Sequence, residues 1–242
     1  MTGQCLPDTY NDDEKRTWRA LMEGCRHRLR LHACDKLIDG FTALRLDEQI
    51  EPMSAVNGRL HDLSGWRMQP VSGLLPEREF WELLRRRLFP TAPVLRKPSE
   101  LEFAQFPDLF HDVVGHLPLL VDPGYGDFLQ ALGDTALKYS ADPAAMKAFA
   151  RFYWFTAETG LVSEGGELKI LGGAVLTSAS EASNALRAGT RRLPLTVASV
   201  RATDYNIFDL QQQYFVAASF SELPSQLDRL EDSVQPLRGT HD

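Results

Sequence analysis

Two histidines, His111 and His116, lie in an apolar part of the chain. They flank Val113 and Val114, and a further apolar run, Pro118-Leu119-Leu120, follows them. An imidazole ring in such surroundings needs a polar partner, and a metal ion is a suitable one. The pattern therefore favours a shared polar site for the two rings inside the protein, whereas either histidine taken alone would be read as an ordinary buried or surface residue.

The spacing of these histidines limits the local backbone. They are five residues apart, so on one ideal helix their side chains point in clearly different directions. Both can reach one ion only if His111 lies at or before a helix start, or if the backbone loosens near Gly115. Pro107 and Asp108 favour a helix that starts just before His111, because proline suits the first turn and aspartate suits the cap.

A carboxylate farther along the chain completes a possible ligand set. Glu158 ends the segment Tyr153-Trp154-Phe155-Thr156-Ala157-Glu158. Two neutral imidazoles and one carboxylate on one face of Fe(II) form the facial triad of non-heme oxygenases, which leaves positions open for oxygen or substrate. The same donors plus water also describe a catalytic zinc site, so the ligand types alone do not choose the metal.

Several ordered blocks carry a wider resemblance. They are residues 111–118, 153–158, 165–169 and 176–178, and the likeness begins near 17–19 and continues through 64–66, 71–76, 89–90 and 205 to 214–217. These blocks resemble the catalytic domain of the pterin-dependent aromatic amino acid hydroxylases, and the short bacterial phenylalanine hydroxylases in particular. A single pair of histidines would be weak evidence, whereas this many blocks at fitting intervals indicate the family.

The resemblance implies a mainly α fold, a single catalytic domain of the aromatic amino acid hydroxylase type with a few short β-strands. A chain of 242 residues with 43% hydrophobic side chains can bury one substantial core. We expect one domain over 1–242, with its core at about 14–222 and a polar C-terminal tail. We expect neither the regulatory domain nor the tetramerising helix of the animal hydroxylases, and therefore a monomer.

Apolar spacing predicts the position of individual elements. Helices are expected over 13–37, 54–63, 76–88, 109–120, 125–140, 143–161, 178–188 and 208–215, and strands over 66–71, 94–95, 167–171 and 196–200. The polar stretch 225–242 is expected to be a short helix followed by a frayed tail.

Charge and hydropathy exclude some partners. The net charge is −7 and the basic clusters 26–30 and 85–87 are short, which argues against nucleic acid or an anionic membrane as the main partner. No apolar stretch reaches the roughly 20 residues of a membrane span, and the amino terminus does not have the pattern of a signal peptide. We therefore expect a cytoplasmic protein.

The three cysteines, Cys5, Cys25 and Cys34, are too few for a disulfide framework and are expected to stay reduced. Cys25 and Cys34 with His27 and His32 resemble a metal quartet at first sight. On a helix, Cys25 and His32 point one way while His27 and Cys34 point the other, so no tetrahedral site is expected from them.

The resemblance assigns a pterin-binding set. Its members are Gly73, Leu75, Phe80, Asp112, Ala150 and Tyr153. Phe80 matches a position where the family stacks an aromatic ring on the pterin, which suits a flat heterocycle, and glycine suits close backbone approach. On pattern alone, the stripe of Ala150, Tyr153 and Trp154 would be an ordinary core face.

The resemblance also assigns a set that binds the amino acid substrate. Its members are Arg96, Pro107, Asp108, Trp154, Thr159, Ala174, Thr177, Ser178 and Glu181. A guanidinium can hold a carboxylate by two parallel hydrogen bonds, which fits Arg96, with Asp108 as the acid that braces it. Thr177 and Ser178 match hydroxyls that support the first metal histidine and the substrate carboxylate. On composition alone, Arg96 would be a surface arginine.

Four positions depart from the family pattern. Asp112 replaces a glutamate near the pterin, and Phe106 replaces an acid just before Pro107. Thr159 replaces a phenylalanine beside the substrate ring, and Ala174 replaces a glycine in the opposite wall. One side of the pocket is thus opened and another is filled, and small displacements of a bound ring are enough to change its reactivity.

Taken with the resemblance, the sequence predicts an Fe(II)- and tetrahydropterin-dependent monooxygenase with O2 as co-substrate. The pterin would be tetrahydrobiopterin or a relative, and His111, His116 and Glu158 would act as iron ligands rather than as general acids or bases. The expected substrate is free L-phenylalanine, hydroxylated para to give tyrosine, or meta because of Thr159 and Ala174. A tryptophan hydroxylase of the same family is the alternative. A zinc hydrolase with the same triad and a non-catalytic binding protein are the other classes considered.

Overall fold

A computed structural model of the protein describes residues 5–101 and 106–235, which form a mainly helical fold, as the sequence predicts. The helices of these residues are α1 (Asp12–His32), α2 (Asp35–Ala43), α3 (Met53–Ser64), α4 (Glu77–Arg85), α5 (Leu109–Gly115), α6 (Leu117–Leu120), α7 (Pro123–Lys138), α8 (Pro143–Tyr153), α9 (Gly173–Thr177), α10 (Ala179–Leu186), α11 (Val197–Ala202) and α12 (Glu222–Val234). A short 3-10 turn covers Pro98–Glu100, and a π-helical turn covers Trp154–Glu158.

The strands of the described residues form two small sheets. They are β1 (Arg67–Pro70), β2 (Leu88–Thr91), β3 (Leu161–Glu164), β4 (Glu167–Ile170), β5 (Arg191–Pro194) and β6 (Gln213–Ala217). Parallel β1 and β2 form one sheet, and the other has the order β4-β3-β6-β5, with β3 and β4 antiparallel and the remaining pairs parallel. Because β3 starts three residues after Glu158, this second sheet anchors the chain just beyond the predicted carboxylate ligand.

The helix that carries His111 lies in the centre of the protein. Every residue of α5 is buried, and α5 packs against α9 and β2. The surrounding core contains large side chains with 2% exposure or less, among them Trp18, Trp81, Phe149 and Phe152. Burial of this much apolar surface is the main stabilising contribution to such a domain.

Close packing of the helices around α5 depends on a glycine. A methyl group at Gly40 of α2 would lie 1.9 Å from the carbonyl oxygen of Pro118 in α6. No side chain fits at that distance, so α2 and α6 could not approach each other as they do with any other residue at this position.

The predicted single helix over 13–37 is wrong, because the chain breaks between α1 and α2. Ala33 leaves the helix in an extended conformation and forms a parallel bridge with Ile170 at the end of β4. The backbone N–H of Cys34 then donates to the carbonyl oxygen of Ile170 at 3.0 Å. Pairing with a distant strand therefore overrides the helical spacing of the side chains.

Three other expectations about elements also differ from the structure. The predicted helix over 208–215 is a turn followed by β6, and the predicted strand over 196–200 is α11, which Thr196 caps by accepting from the backbone N–H of Ser199. Residues 94–95 form a loop, and the strand before them is β2. The predicted helix in 225–242 is α12, which starts earlier, while the tail 236–242 lies outside the described residues.

In the part of the chain that the structure describes, none of the helices has both the length and the apolar character needed to cross a membrane.

Candidate active site

The start of α5 places His111. Asp108 caps the helix by accepting the backbone N–H of His111 at 3.1 Å, so His111 lies in the first turn. The helix ends at Gly115, and His116 has φ −119° and ψ −43° between α5 and α6. Of the two ways in which the five-residue spacing could be accommodated, loosening of the backbone after Gly115 is the one found, and it turns both rings toward one point.

A local change in helix type places Glu158. After α8 ends at Tyr153, the chain continues as a π-helical turn, in which the backbone N–H of Thr159 donates to the carbonyl oxygen of Trp154 at 2.8 Å. Such wide turns insert one extra residue relative to an α-helix and are frequent at functional sites. Here the turn brings the Glu158 carboxylate to the two imidazoles.

Three donor side chains meet at this point. The Nε2 atoms of His111 and His116 are 3.1 Å apart, and the Glu158 carboxylate oxygens lie 3.4 Å and 3.3 Å from these two atoms respectively. Adjacent ligands of one ion are roughly 3 Å apart when each metal–ligand bond is about 2.1 Å. The donor set therefore fits a single metal ion, and among the described residues it is the His, Cys, Asp and Glu group with metal-binding spacing.

A hydroxyl fixes the tautomer of His111. Thr177 Oγ1 donates its proton to the carbonyl oxygen of Gly173 at 2.8 Å, so at 3.0 Å it must accept from Nδ1–H of His111. Nε2 of His111 is then unprotonated and free to bind a metal when the ring is neutral. Thr177 therefore lies within hydrogen-bond distance of the ring of His111.

The electrostatics of the site favour a charged carboxylate. Burial alone would raise the pKa of Glu158, but the charges of His116 and His111 and their hydrogen bonds outweigh burial and hold that pKa well below its ordinary value. Burial alone would likewise lower the pKa of His111, and Glu158 raises it instead. The neighbouring Asp112 has its pKa raised to about 7, chiefly by burial, although it accepts the backbone N–H of Ala92 at 2.7 Å.

Arg96 and Asp108 form a buried, forked ion pair. Nε and Nη2 of Arg96 donate to the two carboxylate oxygens of Asp108 at 3.0 Å and 2.8 Å, and both side chains are 8% exposed. The backbone N–H of Arg96 donates to the same carboxylate at 2.8 Å. Since Asp108 also caps α5, one carboxylate fixes both the guanidinium and the helix that carries His111.

One cavity of about 770 Å³ collects the predicted residues. All of the predicted metal, pterin and substrate positions line it except His116 and Asp108, which are buried behind its wall. Phe80 contacts the ring of Tyr153 edge-to-face at 4.9 Å on this wall. The sequence-based set is therefore brought together in space.

One wall of the cavity was not expected from the sequence. The loop 205–211 contributes Tyr205, Ile207, Phe208 and Gln211 to the lining. The ring of Tyr205 stacks on Trp154 with a centroid distance of 4.7 Å and an angle of 11°. The loop was overlooked because its apolar spacing predicted a helix over 208–215, although Tyr205 itself belongs to one of the blocks that carried the resemblance.

Comparison with known proteins identifies the family. The family model for biopterin-dependent aromatic amino acid hydroxylases matches residues 1–237. The phenylalanine-4-hydroxylase of Chromobacterium violaceum is 35% identical over 218 residues, which cover 89% of this chain and 73% of that protein. The phenylalanine-4-hydroxylase of Ralstonia nicotianae is 36% identical over 216 residues, which cover 88% of this chain and 69% of that protein.

Solved structures agree with the sequence match. The phenylalanine hydroxylase of C. violaceum with bound iron(III) and oxidised 7,8-dihydrobiopterin has a TM-score of 0.85 and 33% identity, covering 96% of this chain and 87% of that one. Its structure with iron and phenylalanine also has a TM-score of 0.85, with 32% identity over 97% of this chain and 90% of that one. Fold, site geometry and sequence together show that the chain belongs to the biopterin-dependent aromatic amino acid hydroxylases.

Proposed function

We propose that the protein hydroxylates the aromatic ring of free L-phenylalanine with Fe(II), a tetrahydropterin and O2. The observation that carries the proposal is the shared cavity, onto which His111, Glu158 and the guanidinium of Arg96 all open. The bacterial relatives named phenylalanine-4-hydroxylases support this choice of substrate.

In this proposal, His111 and His116 hold Fe(II) through Nε2 and Glu158 through its carboxylate. Thr177 keeps His111 in the tautomer that leaves Nε2 free, and the π-helical turn holds Glu158 in place. When bound, iron and the reduced pterin would supply the electrons that reduce O2, so that one oxygen atom is added to the substrate ring and the other to the pterin. The protein contributes position and the exclusion of water, because His116 and Glu158 side chains are only 2% and 13% exposed.

Arg96 would bind the carboxylate of the amino acid. Its fork is already oriented by Asp108, so little conformational entropy is lost when a second carboxylate binds. Ser178, Pro107 and Glu181 lie on the same cavity wall and would complete this end of the substrate site.

The pterin would lie against Phe80 and Tyr153, with Gly73, Leu75 and Ala150 around it. The edge-to-face contact of Phe80 with Tyr153 holds the two rings at a fixed angle, and both rings line the cavity. Asp112 would be the acidic neighbour of the pterin.

The ring position that is hydroxylated would depend on Thr159 and Ala174. Thr159 is 1% exposed, and its hydroxyl donates to the carbonyl oxygen of Trp154 at 2.9 Å, so the space beside Trp154 is bounded by a small side chain. We infer that a bound ring shifts toward Thr159 and away from Ala174, which makes the meta carbon a candidate beside the para carbon. The small side chain of Thr159 on the cavity lining also favours tryptophan as a second candidate substrate.

An aerobic assay tests the proposal. The purified protein is incubated with Fe(II), tetrahydrobiopterin and either L-phenylalanine, L-tyrosine or L-tryptophan, while oxygen consumption is recorded and products are assigned by NMR. We expect ring-hydroxylated phenylalanine that depends on both cofactors, and no turnover in a His111→Ala control. Turnover of tryptophan alone would reassign the substrate, and a zinc-dependent reaction without oxygen consumption would refute the proposal.

A monomeric, cytoplasmic protein stays a prediction from the sequence. Light scattering coupled to size-exclusion chromatography checks the first part, since a monomer of this chain has a mass of 27.2 kDa. Cell fractionation checks the second part.

A further inference from the structure

Gln211 is a buried polar residue at the junction of the loop 205–211 with β6. It is 8% exposed, and each of its polar atoms has a hydrogen-bond partner. A buried glutamine that is satisfied in this way holds its neighbours in one arrangement, because breaking any of these bonds leaves a polar group unpaired.

The side-chain oxygen of Gln211 orients Trp154. Its Oε1 accepts the indole N–H of Trp154 at 3.0 Å, while Tyr205 stacks on the face of the same indole. The carbonyl oxygen of Trp154 accepts from the hydroxyl of Thr159. The indole is therefore held at its N–H, at its face and through its backbone, and its plane forms a fixed part of the cavity wall.

The side-chain and backbone nitrogens of Gln211 hold the loop 205–211 and the carboxylate of Glu181. Nε2 donates to the carbonyl oxygens of Asn206 and Asp209, both at 3.1 Å, so the side chain closes the loop on itself. The backbone N–H donates to Oε1 of Glu181 at 3.3 Å, and the phenol of Tyr214 donates to the same carboxylate oxygen. Gln211 thus connects Trp154 with Glu181, at two places on the cavity lining.

We propose that Gln211 is a positioning residue, which sets the plane of Trp154 and through it the orientation of the substrate's aromatic ring. The inference rests on the proposed function, since Trp154 belongs to the set assigned to the amino acid substrate and lines the cavity. If the indole could rotate, the aromatic ring of the substrate could bind in several orientations. Some pterin would then be oxidised without hydroxylation of the substrate, and more than one ring carbon would be hydroxylated.

Gln211→Met removes all side-chain hydrogen bonds and keeps a side chain of similar length. Trp154→Phe approaches the same bond from the other side, since it deletes the indole N–H while the bonds of Gln211 Nε2 to Asn206 and Asp209 remain. Gln226→Met is the matched control, because Gln226 is also a buried glutamine, 2% exposed, but lies in α12 and bonds to Glu222 away from the cavity. Gln211→Glu is the conservative variant, which keeps an acceptor for the indole.

A spectroscopic measurement on the metal-free protein tests the contact itself. The indole N–H groups of Trp18 and Trp154 are hydrogen-bonded, whereas those of Trp66 and Trp81 have no partner within the described residues. Ultraviolet resonance Raman spectra report this bonding. We expect Gln211→Met to convert one bonded indole to an unbonded one, Gln211→Glu to restore it, and Gln226→Met to change nothing. Two bonded indoles in Gln211→Met would overturn the inference.

Kinetic measurements test the consequence for the ring. We expect Gln211→Met to lower the amount of hydroxylated amino acid per tetrahydropterin oxidised by about fivefold, the effect of one lost buried hydrogen bond, with an unchanged Michaelis constant for the pterin. Trp154→Phe should also lower this ratio. In the double variant, the fold-decrease in the ratio should be smaller than the product of the fold-decreases in the two single variants. Full coupling in Gln211→Met, or independent effects in the double variant, would overturn the inference.

The two proposals fail in different ways. Absence of hydroxylation in the wild type would refute the proposed function. In that case, calorimetric titration with L-phenylalanine decides whether Gln211→Met weakens amino acid binding, and an unchanged affinity would overturn the positioning role as well.

Discussion

The Cα of Gly173 faces the ring of His116 so closely that a methyl group there would lie 2.8 Å from Cε1 and 2.8 Å from Nε2. The carbonyl oxygen of Gly115 is 3.0 Å from the same position. Nε2 of His116 can therefore occupy its position only because residue 173 has no side chain.

We expect Gly173→Ala to weaken metal binding and to destabilise the fold by about 1–3 kcal/mol, because the added methyl overpacks the site and displaces His116. Calorimetric titration with Fe(II) under anaerobic conditions and thermal unfolding measure the two effects. Gly24→Ala is the control, since a methyl at Gly24 in α1 meets nothing within 4 Å. It should stabilise the protein slightly, because glycine is unfavourable inside a helix. Wild-type metal affinity in Gly173→Ala would contradict the expected clash.

His111→Ala, His116→Ala and Glu158→Ala should each abolish iron-dependent turnover while the protein stays folded. Each change removes one of three donors, and the remaining two hold the ion far less tightly. Metal analysis after dialysis, together with circular dichroism, checks both parts of the prediction. Full activity of any one variant would show that its residue is not a ligand.

Arg96→Lys should raise the Michaelis constant for the amino acid by about tenfold or more, because lysine keeps the charge but loses the planar fork. The constant for the pterin should change less than twofold on the same argument. Arg59→Lys is a suitable control, since Arg59 pairs with Glu51 outside the cavity. An unaltered constant for the amino acid would place its carboxylate elsewhere.

Phe80→Ala should chiefly weaken binding of the pterin and should affect binding of the amino acid much less. The phenyl ring supplies the flat surface on which the heterocycle would stack, and its loss also frees Tyr153, which it contacts. Binding of the pterin is measured by fluorescence quenching. Phe220→Ala removes a phenyl ring that does not line the cavity, and it should leave pterin affinity unchanged.

Thr159→Phe combined with Ala174→Gly should move the products from phenylalanine toward the para isomer, if the wild type oxidises another carbon. Phenylalanine added without room opposite would overpack the site, so the two changes are made together, and the double variant should differ from the sum of the single ones. NMR of the product mixture gives the isomer ratio. A wild type that already makes only para-tyrosine would refute this role of Thr159 and Ala174.

The sequence was most informative where local signals and the site coincide. Asp108 as a cap, the five-residue spacing of the histidines and one of the two alternatives it left open, a loosening near Gly115, describe the observed course of α5. The residues assigned by resemblance also converge on one cavity, although the blocks that carry them lie far apart in the sequence.

Other features could not be read from local spacing. The break at Ala33 depends on Ile170, which lies far away in the sequence, and the position of β6 depends on the strands on both sides of it. Gln211 is an ordinary polar residue in the sequence, and its bonds arise only when α10, the π-helical turn and the loop meet. These features depend on tertiary contacts, which cannot be predicted from helical periodicity.

The π-helical turn also limits how this gene can change over evolutionary time. Deleting any single codon within 154–157 would restore ordinary helical winding, and each residue of such a helix turns by about 100°. The carboxylate of Glu158 would then rotate away from the histidines, although the helix would remain intact and amphipathic. Length variation in this lineage should therefore accumulate in surface loops such as the one between β3 and β4, where Gly165 and Gly166 form an exposed turn.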